Sequence, residues 1–209
     1  GACLGFAAAK FGQRQGQRAA LVADDMHLGL RAPNIWYRIA FEYGDNGGTI
    51  RADGLSLPGV PALVVGSNGA IAWAFTNSYG DWLDLVRLRT SDDGHAYFTA
   101  HGAQPFRVIE EVLHSAGGDP ETLAVRETIW GPVIGTDADG NALALAWTAH
   151  RDGAVNAALV ELERADDVDA ALAIAQRAGI PGQNMLVGDA AGRIGWTLAG
   201  RIPQRRDGH

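Results

Sequence analysis

The sequence predicts an α+β fold of layered sheets and helices, from three observations. Short apolar runs broken by Gly, Asn and Pro occupy residues 1–90. A pair of helical stripes covers residues 154–178. Strand patterning then returns after Pro181. Strands, a helical pair and strands again are the signature of sheet-and-helix layers around one core.

The elements follow in order. Runs at 4–9, 19–23, 35–43, 62–66 and 70–76 have the length and apolar content of strands. Ser67-Asn68-Gly69 separates the last two, and Asn-Gly accepts the positive φ of a tight hairpin. Similar turn chemistry recurs at Asp92-Asp93-Gly94, Asp137-Ala138-Asp139-Gly140-Asn141 and Asp189-Ala190-Ala191-Gly192. The second of these resembles the start of a calcium loop, but the downstream Glu is absent, so it reads as a hairpin. In the helical segment Ala157, Leu159, Val160 and Leu162 form one stripe. Asp166 or Asp167 caps a second helix carrying Val168, Ala171, Leu172 and Ile174, which Gly179 and Pro181 end. Strands resume at 184–187 and 194–198. No linker, repeat or low-complexity stretch interrupts the chain, so residues 1–209 read as one domain.

Composition excludes several functions. The 209 residues are 47% apolar and carry a net charge of −7, with no Lys/Arg cluster longer than two. Nucleic acid is an unsuitable partner, because phosphate binding needs a concentrated basic face. No apolar run is long enough to span a bilayer. The single cysteine, Cys3, cannot form an internal disulfide. Gly1 opens directly into an apolar segment without an initiator Met, no signal peptide is present, and the chain stops in what reads as a loop from Gly200. The expectation is a fragment lacking both ends of a larger protein.

Four motifs carry a resemblance. The first is Ala23-Asp24-Asp25-Met26-His27-Leu28, followed by Pro33-Asn34-Ile35-Trp36-Tyr37. The second runs from Leu57-Pro58-Gly59-Val60-Pro61 through Gly66-Ser67-Asn68-Gly69 to Trp73-Ala74-Phe75-Thr76-Asn77. The third is Thr128-Ile129-Trp130-Gly131-Pro132-Val133. The fourth is Pro181-Gly182-Gln183-Asn184, continued by Asp189, Gly192, Ile194-Gly195 and Gly200-Arg201-Ile202-Pro203 with Arg205. In this order, over nearly the whole chain, the set resembles the catalytic β-chain of the penicillin acylase family of N-terminal-nucleophile hydrolases.

That resemblance implies a four-layer αββα sandwich, incomplete in this chain, and an amide hydrolase cut from a precursor into α- and β-chains. The nucleophile stands at the new β-chain N-terminus, where its own α-amine titrates near neutrality and serves as base. Anchored on Phe6, the match puts Cys3 at the nucleophile and Leu4 at the usual Asn. A second register puts Ala2 there, which would leave a dead site. The resemblance makes Asn184 a side-chain donor to the oxyanion, Asn77 a backbone donor, and His27 a backbone contact near the reacting end. It assigns Phe75 and Arg205 to the substrate, with Arg206 as the alternative register for the arginine. It implies one structural Ca²⁺ held partly by Asp81, Asp84 and the carbonyl of Leu83, and no organic cofactor.

The implied partners are the α-chain of the same precursor and a small N-acyl substrate, such as a β-lactam side chain, an acyl-homoserine lactone or a lipopeptide. The implied location is periplasmic or secreted. Two other functions remain open on the sequence: a catalytically degenerate homologue acting as a scaffold or binding protein, and a metal-dependent hydrolase built on Asp24, Asp25 and His27. Without the α-chain, an exposed apolar surface is expected.

Overall fold

The computed structural model describes residues 8–14, 17–25, 28–29 and 31–204. The chain forms two compact units. Of the described residues, one comprises those up to 80 and 152–204, the other 81–151. In chain order the first unit contributes β1 (Ala8–Arg14), β2 (Gln17–Ala23), β3 (Tyr37–Asp45), β4 (Gly48–Ser56), β5 (Val65–Ser67) and β6 (Ile71–Asn77). The second contributes β7 (Leu83–Arg87), β8 (Ala96–Thr99), β9 (Gly102–Pro105), β10 (Arg107–Leu113), β11 (Glu121–Glu127), β12 (Val133–Thr136) and β13 (Ala142–Trp147). The chain then returns to the first unit with a 3₁₀ helix Ala158–Arg164, helix α1 (Val168–Arg177), β14 (Gln183–Asp189) and β15 (Ile194–Ala199).

The first unit is built on a six-stranded sheet of order β15-β14-β6-β5-β4-β3, antiparallel throughout. Side chains alternate between the two faces of a strand, and here each face has its own cover. Ile71, Trp73, Phe75, Met185 and Val187 join α1 residues Val168, Ala171, Ile174 and Ala175 in one buried cluster. Gly195 lets α1 approach: a Cβ there would sit 2.6 Å from Val168 Cγ1. On the opposite face the β1–β2 hairpin crosses β14, and a Cβ at Gly188 would sit 2.5 Å from that of Ala20. Helix, sheet and hairpin are therefore stacked in that order.

Helix α1 follows from its sequence. Asp167 is extended, and its carboxylate accepts the Ala170 N–H at 2.8 Å, so Asp167 rather than Asp166 is the cap. Buried residues then recur at helical spacing from Val168 to Ala175. The preceding stripe winds as a 3₁₀ helix because both its ends are held. Asn156 Oδ1 accepts the Ala158 N–H at 3.0 Å, and Asn68 Nδ2 bonds the carbonyls of Leu162 at 3.2 Å, Glu163 at 3.2 Å and Ala165 at 2.7 Å. The 3₁₀ winding rises about 2.0 Å per residue against about 1.5 Å for α, so a short segment reaches farther between fixed ends.

The second unit holds the three-stranded sheet β12-β13-β7 and the hairpins β8-β9 and β10-β11. Its core is small: Leu88, Tyr97, Ala142 and Ala144, with Phe106 and Trp130 packed against it. The Asp137–Asn141 string is a hairpin between β12 and β13. The Asp137 carboxylate accepts the backbone N–H groups of Asp139 and Asn141 and the side-chain amide of Asn141. Those bonds hold its pKa below the ordinary carboxylate range, the Asn141 side chain contributing most. The third motif is likewise a turn, in which Thr128 Oγ1 donates to the Gly131 carbonyl at 2.8 Å. Leu83, Leu85 and Trp147, on paired strands β7 and β13, are exposed.

Candidate active site

Strands β6 and β14 lie side by side within the six-stranded sheet, with Asn184 opposite Thr76. Alternation sends Met185, Val187, Trp73 and Phe75 towards α1. It sends Asn184, Leu186 and Gly188, with Thr76, Ala74 and Ala72, to the face crossed by the hairpin. Asn184 thus stands on the hairpin face at the end of the ladder, beside the last residue of β6.

Its amide is held on both sides. Nδ2 donates to the carbonyl of Asn77 at 3.0 Å, and the indole Nε1–H of Trp196 donates to Oδ1 at 3.1 Å. An indole N–H can only donate and a backbone carbonyl can only accept, so these partners fix which end of the amide is which. An amide nitrogen carries two hydrogens. One is used on Asn77, and the other is left to a further acceptor.

The loop that delivers Asn184 is fixed as well. Ser78 Oγ donates to the Gly182 carbonyl at 2.6 Å, tying the end of β6 to the start of β14. Gly200 backs onto the same loop with φ +89°, and a Cβ there would stand 2.5 Å from the Ile180 carbonyl oxygen. Any other residue would push the Pro181–Asn184 segment aside. The fourth sequence motif is therefore a packed unit: its first half carries Asn184 and its second half supports the loop from behind.

Thr76, the register partner of Asn184, is buried at 4% exposure, and its Oγ1 has no hydrogen-bond partner. Such a hydroxyl costs about 1–3 kcal/mol unless something satisfies it. It marks this end of the ladder as polar beneath the surface. The shifted titrations lie elsewhere. Burial and the Glu163 carboxylate raise Tyr43, whereas hydrogen bonds lower Asp93 and Asp137. What the described residues offer at Asn184 is neutral hydrogen-bond chemistry.

Of the residues singled out in the sequence, the structure brings Asn77 and Asn184 into direct contact. Cys3, His27 and Arg205 lie outside the described residues. Phase of the strand sets Phe75 apart from Asn184. It is 3% exposed in the α1-facing core and pairs with Met185, so its side chain points away from the Asn184 face. Asp24 and Asp25 are locally engaged, the Asp25 N–H donating to Asp24 Oδ1 at 2.8 Å. Among the described residues no group of three or more His, Cys, Asp or Glu is placed to hold a metal.

Asp81 precedes β7, and Leu83 and Asp84 begin it. Two carboxylates and one carbonyl fall short of the roughly six to eight oxygens Ca²⁺ takes, so these three residues close no cage by themselves. Trp196 was not singled out by sequence. Its signal was weak: an aromatic on one strand face with Ile194 and Leu198 reads as packing, and only the register sets it beside Asn184.

Comparison with known proteins gives this geometry a family. The family model described as penicillin amidase matches residues 11–209. An acyl-homoserine lactone acylase, QuiP of Pseudomonas fluorescens Pf-5, is 32% identical over 203 residues, covering 94% of this chain and 24% of that protein. Penicillin G acylase of Escherichia coli is 30% identical over 192 residues, covering 83% of this chain and 21% of that protein. The chain thus spans about a quarter of the length of the curated relatives it matches. A solved structure of thermostable penicillin G acylase from Alcaligenes faecalis superposes with a TM-score of 0.82 at 20% identity, over 96% of this chain and 36% of that one, which shows a shared fold. By the match along its length, the chain belongs to the penicillin amidase family.

Proposed function

We propose that the protein carrying this chain is an acylase that hydrolyses the amide bond of an N-acyl compound through an N-terminal nucleophile, within a four-layer αββα sandwich. The observation that carries the reading is the Asn184 amide, oriented from both sides with one N–H left over. A donor fixed before the reaction costs no reorganisation as charge develops, the condition for oxyanion stabilisation. Acyl-homoserine lactones lead the candidate substrates, because the 32% identical relative bears that activity in its name. β-Lactam side chains and lipopeptides share the same acyl–nitrogen bond.

In the proposed mechanism the precursor is cut between Ala2 and Cys3. The freed α-amine of Cys3 takes the thiol proton, and the thiolate attacks the amide carbonyl. The backbone N–H of Asn77 and the Nδ2–H of Asn184 hold the oxyanion. The protonated amine then gives its proton to the leaving nitrogen, and water hydrolyses the thioester. A base with a pKa near neutrality suits both proton steps. The His27 backbone contacts the reacting end, and Arg205 orients a polar group of the substrate. The α-chain of the precursor completes the acyl pocket, and the location is periplasmic or secreted.

A structural Ca²⁺ belongs to the same proposal. Asp81, Asp84 and the Leu83 carbonyl supply part of its oxygen shell, and segments outside this chain supply the rest. Chelation is then expected to lower the thermal midpoint of the whole protein, with Ca²⁺ restoring it.

The decisive experiment assays the processed, whole protein on a panel of N-acyl substrates. Cys3→Ala is expected to abolish turnover, whereas Cys3→Ser retains some. If Cys3→Ala matches the parent, the nucleophile lies elsewhere. A parent inactive on the whole panel supports a degenerate homologue instead.

A further inference from the structure

We infer that Trp196 is a positioning residue for Asn184: its indole N–H holds the amide in the one orientation that presents Nδ2–H to a reacting carbonyl. The inference rests on the reading of Asn184 as an oxyanion donor.

The argument begins with the symmetry of an amide. The oxygen and nitrogen ends of an Asn side chain are nearly equal in size, so shape alone does not choose between them. An oxyanion site cannot accept either: the nitrogen stabilises developing negative charge and the oxygen repels it. The Asn77 carbonyl favours the nitrogen end on its side at 3.0 Å. That bond alone leaves Oδ1 without a partner at a half-buried position.

Trp196 supplies that partner. Strand alternation puts it on the same sheet face as Asn184, one step along the β14–β15 ladder, with Trp196 opposite Leu186 and Asn184 opposite Leu198. Its Nε1–H meets Oδ1 at 3.1 Å. An indole is donor only, so a flipped amide would set two donors face to face. Trp196 thus penalises the unproductive orientation, while Asn77 rewards the productive one. The indole itself is 57% exposed and adds little to the buried core. An apolar residue would pack there as well, but only a hydrogen-bond donor can orient the amide.

The test uses the whole processed protein and a series of N-acyl-p-nitroanilides of increasing acyl length. The variants are Trp196→Phe, Asn184→Ala and the double variant. Phe keeps an aromatic ring at an exposed position and removes the donor with part of the indole surface, so the fold survives. Trp196→Phe is expected to lower kcat about tenfold, roughly the value of one hydrogen bond, with KM nearly unchanged. In the Asn184→Ala background the same change is expected to have no further effect, because Trp196 acts through Asn184 alone.

An unchanged kcat in Trp196→Phe overturns the inference, as does the same loss in both backgrounds. A parent inactive on the whole series contradicts the proposed function instead. The inference is then decided by the crystal structure of Trp196→Phe: an Asn184 amide turned from its parent orientation supports it, and an unmoved amide overturns it.

Discussion

Two asparagines flank strand β6, Asn68 in the turn before it and Asn184 on the neighbouring strand β14 beside its far end, and they are used in opposite ways. Before the strand, Asn68 engages its whole amide. Oδ1 accepts the N–H groups of Ala70 and Ile71 at 3.0 and 2.9 Å, and Nδ2 serves the carbonyls that end the 3₁₀ helix. Beside the far end, on β14, Asn184 bonds Asn77 and Trp196 and keeps one N–H in hand. The same side chain is a structural staple where every polar atom is satisfied, and a candidate for chemistry where its orientation is fixed but one donor is not. Fixed orientation with a spare donor separates the two more clearly than burial, since both residues are half-buried.

The largest expected effect concerns the spare donor. Asn184→Ala should cut kcat of the whole enzyme by about 10²–10³, the usual loss for one oxyanion donor, while hardly moving the thermal midpoint. A large drop in stability without loss of turnover would reverse the roles assigned to the two asparagines. Asn68→Ala should do the converse. It strips partners from backbone groups at two elements and should cost about 2–3 kcal/mol in denaturant unfolding. Its turnover per folded molecule should equal that of the parent. A loss below about 0.5 kcal/mol would show that water replaces the staple at no cost.

Smaller effects sharpen the contrast between staples. Asp167→Ala removes the cap of α1 and should cost about 1 kcal/mol, measurable by the same unfolding titration. Asp137 performs the turn function of Asn68 with a charged group, so its contribution depends on pH. Its pKa is lowered in the folded state, chiefly by the Asn141 side chain. Its stabilisation is therefore present above the ordinary carboxylate pKa and is lost as pH falls through the lowered folded value. Asp137→Asn should flatten the acid limb of the unfolding curve slightly, because the group is partly exposed to solvent and screened. An unchanged acid limb would place the pH dependence on other carboxylates.

Much of the first unit was legible because turn residues and apolar periodicity agree there. Asn68-Gly69 marks its hairpin, the 168–177 stripe its helix, and Gly179 with Pro181 the helix end. Strand β4 was harder to read. Gly48, Arg51, Asp53 and Gly54 hide its alternation, although Asn46-Gly47, both at positive φ, is the tight turn that pairs it with β3. The run at 62–66 shrank to Val65–Ser67, since apolar content does not show where a ladder begins. At the candidate site, the motif pointed to Asn184, but its partners are set by register across three strands. Spacing along one chain carries no record of that, which is why Trp196 went unnoticed and the face that Phe75 takes was not foreseen.

The exposed indole beside Asn184 also has an optical consequence. Indole emission responds to the polarity and hydrogen bonding around the ring, and Trp196 donates its N–H to the amide proposed to receive the substrate. Trp73, by contrast, is sealed in the core with its N–H on the Leu63 carbonyl at 3.1 Å, and reports only on whether the first unit is folded. The molecule therefore carries two intrinsic lamps in one sheet, one for integrity and one for occupancy. A ligand arriving at Asn184 should shift the colour of the second and leave the first unchanged.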